Sequence, residues 1–280
     1  MKKFIFEIKI KKPFDFKRTV QKPAGWHWAT PFEVFENNIL YTALRLSNDR
    51  LVGLKLSEDD NVVKIKAYNH DLNTGEKEEL LELTKLGLGA EEDLAGFYRQ
   101  AKNDDLVAQL KKDLYGMRLG FPTGVFERAI LAITLQMAPT KRSNQMMDCL
   151  IKQYGDIVKV DDTEIFFWPS PKVISKIKTE KLAKDCKLGY RAKYVNKVAQ
   201  QIESSFLSIL ELKKLSEEEA QKKVENLPGI GSYSAQIISP YFGFPLDVWS
   251  ARIFHELLCD ETPSHPREEI KKLDAKASER

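Results

Sequence analysis

The chain has 280 residues, 42% of them hydrophobic and 30% charged, and a formal net charge of +3. That length suits one large domain or two ordinary ones, and the composition is globular rather than disordered or fibrous. No apolar run approaches the ~18 residues of a membrane span. Cys149, Cys186 and Cys259 are far apart, which argues against a disulfide framework or a four-cysteine metal site; a reducing intracellular home is expected.

The first ten residues alternate, with Phe4, Phe6, Ile8 and Ile10 set among largely polar residues, so they read as a strand and not as a signal peptide. Further β-like runs follow at Ile39–Leu46, Leu51–Leu56 and Val62–Tyr68. Ser-Asn-Asp-Arg and Glu-Asp-Asp-Asn turns separate them. From about Leu80 the period becomes helical. Helices are predicted over Glu91–Lys102, Asp105–Tyr115, Val125 to about Met137, and about Lys141 to Tyr154, with Pro139 as the break between the last two. Ser170-Pro171 opens a basic segment. Between Pro171 and Gln200, eight Lys and one Arg stand against Glu180 and Asp185, a local net of +7. Such a run is either a solvated surface or a patch that meets phosphates. A helix is expected from about Arg191 to Phe206. Ser216 and Glu219 fit a capping box for the next, reaching about Asn226. The fold class is therefore α+β: an N-terminal antiparallel β-sheet domain, residues 1–85, then an all-helical domain, residues 86–280.

Leu227-Pro-Gly-Ile-Gly-Ser-Tyr233 carries the most specific signal. Gly229 and Gly231 admit backbone conformations closed to other residues and let a phosphate approach the main chain. The helix that follows presents N–H groups at Gly231, Ser232 and Tyr233. The competing reading is a helix–turn–helix connection that binds nothing. Downstream, Phe244-Pro-Leu-Asp247-Val-Trp249 sets one carboxylate among apolar neighbours. Asp247 serves as a helix N-cap, and the same rigidity suits a catalytic acid beside developing positive charge.

The hairpin, the downstream Pro-x-Asp-Val and the helices before them resemble the helix-hairpin-helix DNA glycosylase superfamily. Leu188-Gly-Tyr-Arg-Ala-Lys-Tyr-Val195 is similar to a segment of 8-oxoguanine DNA glycosylases. The N-terminal sheet resembles a domain shared with bacterial 3-methyladenine DNA glycosylase II. The resemblance implies that Asp247 is the carboxylate needed to break the base–sugar bond, with Gly229, Gly231 and Ser232 on a DNA phosphate. Bifunctional members carry a lysine where this chain has Tyr233, so the expected enzyme is a monofunctional hydrolase that leaves an abasic site. Tyr233 would stack on the extruded base, unless it packs in the core. The spacing from Tyr233 to Asp247 is 14 residues, shorter than in either family.

By the same resemblance, Gln136-Met137-Ala-Pro139 is the DNA-inserting turn, with Met137 the wedge and Gln136 on the widowed base. A capped helix end is the alternative. Tyr190 and Arg191 match residues that meet the opposite strand, and Lys141 a second basic contact. Trp26 and Trp28 match an aromatic segment that nears the base pocket, or else pack the sheet core. His27 is expected to be structural. The implied partner is double-stranded DNA with damaged bases, bound by a monomer away from any membrane. No cofactor is expected beyond room for a structural monovalent cation at the hairpin. Alkylated purines are the favoured substrates. Excision of 8-oxoguanine and non-catalytic DNA binding are the alternatives. The chain ends in a polar stretch, Ile270 to Arg280, where related chains often continue with another apolar helix.

Overall fold

Alternation along the first strand sorts its side chains. In β1 (Phe4–Lys9), Phe4, Phe6 and Ile8 turn toward the core, while Ile5, Glu7 and Lys9 face solvent. This strand is the edge of a five-stranded antiparallel sheet. Its other members are β2 (Val34–Glu36), β3 (Ile39–Arg45), β4 (Leu51–Asp59) and β5 (Val62–Tyr68), in the order β1-β5-β4-β3-β2. The tight turns use residues that tolerate positive φ: Asn37 and Asn38 between β2 and β3, Asp60 and Asn61 between β4 and β5. The structure, a computed structural model, describes residues 4–22, 27–68, 71–205, 207–241, 250 and 256.

The short α1 (Phe16–Val20) follows β1, and α2 (Thr74–Leu88) leaves the sheet. A capping box of Asn73 and Glu76 starts α2, and Gly89 in the left-handed conformation ends it. The 85/86 division falls inside this helix. Next come α3 (Leu94–Gln100), α4 (Asp105–Leu114), α5 (Val125–Leu135) and α6 (Thr140–Tyr154). Every residue of α5 from Val125 to Thr134 is buried, so it is the central helix, in contact with α6 and with two later helices.

The helical part is not purely helical. β6 (Asp156–Val160) and β7 (Thr163–Phe167) form an antiparallel hairpin that sequence reading passed over. It lies against the sheet, where Gly53 of β4 makes room for Val158 and Val160. Arg45 ties the layers together. Its guanidinium, almost fully buried, donates to Asp156 Oδ2 at 2.6 Å, to the Trp168 carbonyl at 2.8 Å and to Asp49 Oδ1 at 3.0 Å. Thr30 Oγ1 donates to the Phe166 carbonyl, and the Trp168 indole to the Ala29 carbonyl.

The chain then runs through α7 (Pro171–Ile174), α8 (Thr179–Asp185), α9 (Arg191–Ser205), α10 (Ile209–Leu212), α11 (Glu217–Glu225) and α12 (Ser232–Ile238). The capping box predicted at Ser216 and Glu219 is present. One expectation needs correcting. Cys149 in the second half of α6 and Cys186 after α8 are joined in a disulfide, with Cα atoms 5.3 Å apart across a separation of 37 residues. Three cysteines rule out a framework but not a single pair, and distance along the chain says nothing of distance across packed helices. Among the described residues, no helix is long and apolar enough to cross a membrane.

Candidate nucleic-acid interface and active site

The hairpin joins α11 to α12. Leu227 and Ile230 are buried and anchor it, while Gly229 and Gly231 lie at the surface. Gly229 has φ +78 and sits directly under the Tyr194 ring, so both its backbone and its packing require glycine. Gly231 is the N-cap of α12 with an extended φ of −101, and an added Cβ would meet nothing within 4 Å. No side chain caps α12. Ser232 is exposed there, and Tyr233 is half-buried one residue on.

The other loops converge on this hairpin. Gln136, the C-cap of α5, donates from Nε2 to the Gly229 carbonyl at 2.8 Å and to Ser234 Oγ at 3.3 Å. Met137 follows with φ +47 and a side chain 86% exposed. Ser143 Oγ donates to the Thr134 carbonyl at 2.9 Å and closes the α5–α6 turn. Arg191, at the start of α9, donates to the Gln136 carbonyl, and its guanidinium lies 4.6 Å from the Tyr190 ring centroid. Tyr190 is 53% exposed and meets Tyr194 edge-on. Arg142 donates to the Lys187 carbonyl, so the turn after α5 and the loop before α9 form one continuous rim. Lys141 is exposed in the first turn of α6, and all eight lysines between Lys172 and Lys197 are exposed as well.

Thus Gln136, Met137, Lys141, Tyr190, Arg191, Gly229, Gly231, Ser232 and Tyr233 lie on the linked turns around one hairpin. Trp28 is apart from them. It is fully buried, with its indole donating to the Gly87 carbonyl at 2.7 Å. His27 contacts the Trp168 ring, and burial together with Lys22 brings it down to about 4, so it stays neutral. Burial likewise lowers Lys22 to about 7 and raises Glu33 to about 6, although three backbone N–H groups of the 28–30 turn oppose the latter shift. Asp247 and Trp26 lie outside the described residues.

Sequence reading passed over Tyr194, which packs on Gly229, and Ser234, which shares the Gln136 amide. It also missed Arg128 at the far end of α5. A signal was present for Arg128: it and Glu127 are the charged residues in the otherwise apolar run Val125–Leu135.

Comparison with known proteins bears on the fold as a whole. No protein-family profile matches the chain. A curated relative, the DNA-3-methyladenine glycosylase of Bacillus subtilis, is 24% identical over 208 residues, 72% of this chain and 68% of that protein. The solved 3-methyladenine DNA-glycosylase of Archaeoglobus fulgidus superposes with a TM-score of 0.75 at 23% identity, over 95% of this chain and 91% of that one. The chain shares the fold of this solved DNA glycosylase. A third similar structure, MBOgg1 in complex with a low-affinity DNA ligand, has a TM-score of 0.70 at 17% identity over 98% and 93% of the two chains. The glycosylase fold thus extends over the sheet as well as the helices, so both parts of the chain belong to one architecture.

Proposed function

We propose that this protein is a monofunctional DNA glycosylase that flips a damaged purine out of duplex DNA and hydrolyses its N-glycosidic bond. The observation that carries the reading is the bonded junction of Gln136 with Gly229 and Ser234. It sets an exposed, left-handed Met137 beside the glycine hairpin that starts α12. A solvent-exposed methionine held at positive φ costs about 1 kcal/mol or more in backbone strain and gains no burial. Insertion into the base stack gives that side chain a partner.

In this reading the hairpin holds a backbone phosphate without reading sequence, and Met137 fills the hole left by the base. Asp247 stabilises the cationic sugar and takes a proton from the attacking water. The water oxygen bonds to C1′, the C1′–N bond breaks, and its electron pair leaves with the base. Tyr233 occupies the position that would need an amine for Schiff-base chemistry, and a phenol forms no imine. Strand cleavage is therefore not part of the reaction, and no cofactor enters it. Alkylated purines, electron-poor and suited to stacking on an aromatic ring, are the first substrates to test. The exposed Tyr190 and the adjacent Arg191 favour 8-oxoguanine as the second.

The test is an excision panel of duplexes carrying alkylated purines, hypoxanthine or 8-oxoguanine. Release of at least one base, without strand scission, is expected. Asp247→Asn is expected to abolish release while leaving binding to the same duplex intact. Normal release by that variant overturns the mechanism. An efficient borohydride-trapped adduct overturns the monofunctional assignment.

A further inference from the structure

Gln136 stands where α5 ends, and it is held there from three sides. Its N–H donates to the Ile133 carbonyl at 3.3 Å, within its own helix, and its carbonyl accepts from Arg191 of α9. Its side-chain nitrogen donates to the Gly229 carbonyl at 2.8 Å and to Ser234 Oγ at 3.3 Å. A primary amide has two N–H groups, and both are spent on these acceptors, so the side chain has no donor left to offer a base. The resemblance drawn from sequence sets this residue on the widowed base; its geometry gives it another task.

The residue that these bonds hold in place is the next one. Met137 has φ +47 and is 86% exposed. A residue other than glycine keeps such a backbone only where its neighbours over-determine it. On the far side of Met137, the Ala138 N–H donates to the Leu135 carbonyl at 3.4 Å. The buried Ser143 donates from Oγ to the Thr134 carbonyl at 2.9 Å and to the Pro139 carbonyl at 3.4 Å. Those bonds close the α5–α6 turn on itself. The Gln136 amide then fixes the closed turn to the hairpin and to α12, 93 and 98 residues further along the chain. Ser234 shows what kind of role this is. It lies on α12 and is 3% exposed, so DNA does not reach it. Its hydroxyl can act on a substrate only through the amide it accepts from.

We propose that Gln136 and Ser234 are positioning residues for Met137. Their junction with the Gly229 carbonyl holds the wedge in its inserting geometry before DNA arrives, and Gln136 does not read the base opposite the lesion. The inference rests on the glycosylase reading above, in which Met137 fills the hole left by the flipped base. A turn already ordered spends no binding energy on being ordered when the base leaves the stack. For the substrate, the consequence is that Gln136 contributes nothing to discrimination among the four opposite bases.

Two variants test this. Gln136→Leu keeps the side-chain volume and removes both donors. Ser234→Ala removes only a buried hydroxyl, so it remains informative if the first fails to fold. The measurement is single-turnover excision of a lesion that the parent releases, set opposite each of the four bases in turn. Excision is expected to fall about tenfold in Gln136→Leu and about threefold in Ser234→Ala, by the same factor for every opposite base. The double variant is expected to be no slower than Gln136→Leu, because both substitutions break one junction. Parent-like excision by either folded variant, or a loss confined to one opposite base, overturns the proposal. Hydrogen exchange of the DNA-free protein supplies a readout independent of activity. Exchange about tenfold faster at residues 136–138 is expected in Gln136→Leu, with residues 146–151 of α6 unchanged; parent-like exchange at 136–138 overturns the proposal. If the parent releases no base from any duplex, the glycosylase reading fails and takes the wedge with it. Parent-like exchange in the variant, alongside base release by the parent, defeats this proposal alone.

Discussion

Gly229 and Gly231 are two positions apart, and they are glycine for different reasons. A side chain at Gly229 would need a left-handed backbone and would strike the Tyr194 ring 2.5 Å away. A side chain at Gly231 would have an ordinary backbone and open space. The fold therefore explains the first glycine and leaves the second to function. Gly229→Ala is expected to destabilise the protein by about 1–3 kcal/mol. Gly231→Ala is expected to leave the melting temperature unchanged and to weaken binding to duplex DNA. Thermal melts and binding titrations of the two variants check this; equal affinity for parent and Gly231→Ala would remove the phosphate from the hairpin. Glu76 gives a pH prediction at the same scale. Arg50 donates to both its oxygens at 2.8 Å, and the Asn73 N–H and Asn48 amide add two more bonds, which lower the carboxyl from 4.5 to about 2. A carboxyl lowered on folding stabilises the protein above its unfolded value, and that stability is lost as pH falls from about 4.5 through about 2. Glu76→Gln is expected to lower the urea midpoint at pH 7, with the gap to the parent closing toward pH 2.

Helices and strands announced themselves wherever local signals agreed. The alternation of β1, the Asp60-Asn61 turn, Pro139 between α5 and α6, and the Ser216–Glu219 box all sit where their residue types place them. The elements that escaped are short and owe their form to tertiary contact. β2 is three residues long, and the β6–β7 hairpin has apolar positions that read as a loop until β4 is placed beside it. The hairpin and the turns around it were legible because glycine and proline spell out their own geometry. Gln136 bonding to Gly229, and Arg128 to the end of α12, were not, because a side chain's partner 93 or 111 residues away leaves no local trace. The disulfide belongs with these. It ties the second half of α6 to the C-cap of α8, and Tyr154 bonds Asp185. Closing a loop of this length stabilises a fold by about 3–4 kcal/mol. A reductant is expected to lower the urea midpoint of the parent protein, and to leave unchanged the already lower midpoint of a Cys149→Ser variant.

At the scale of the whole molecule, a net charge of only +3 conceals a strongly cationic stretch of chain. Eight lysines from Lys172 to Lys197 are exposed, as is Lys141 in the first turn of α6, and Arg191 bonds the Gln136 carbonyl beside the hairpin. Binding to DNA is then expected to fall steeply with salt. Lys141→Gln combined with Lys193→Gln should reduce the slope of log K against log salt by about 2, equally for damaged and undamaged duplexes. A slope unchanged by both substitutions would place the phosphates elsewhere. The ties of Arg45 and Trp168 to the rest of the fold bear on the protein at birth. The partners they join are separated by 111, 123 and 139 residues. When a ribosome has released the five strands, the hairpin that covers β4 and the indole that bonds Ala29 are still unmade. The N-terminal sheet therefore emerges with one face bare, and it must wait for about a third of the chain to follow before that face is sealed.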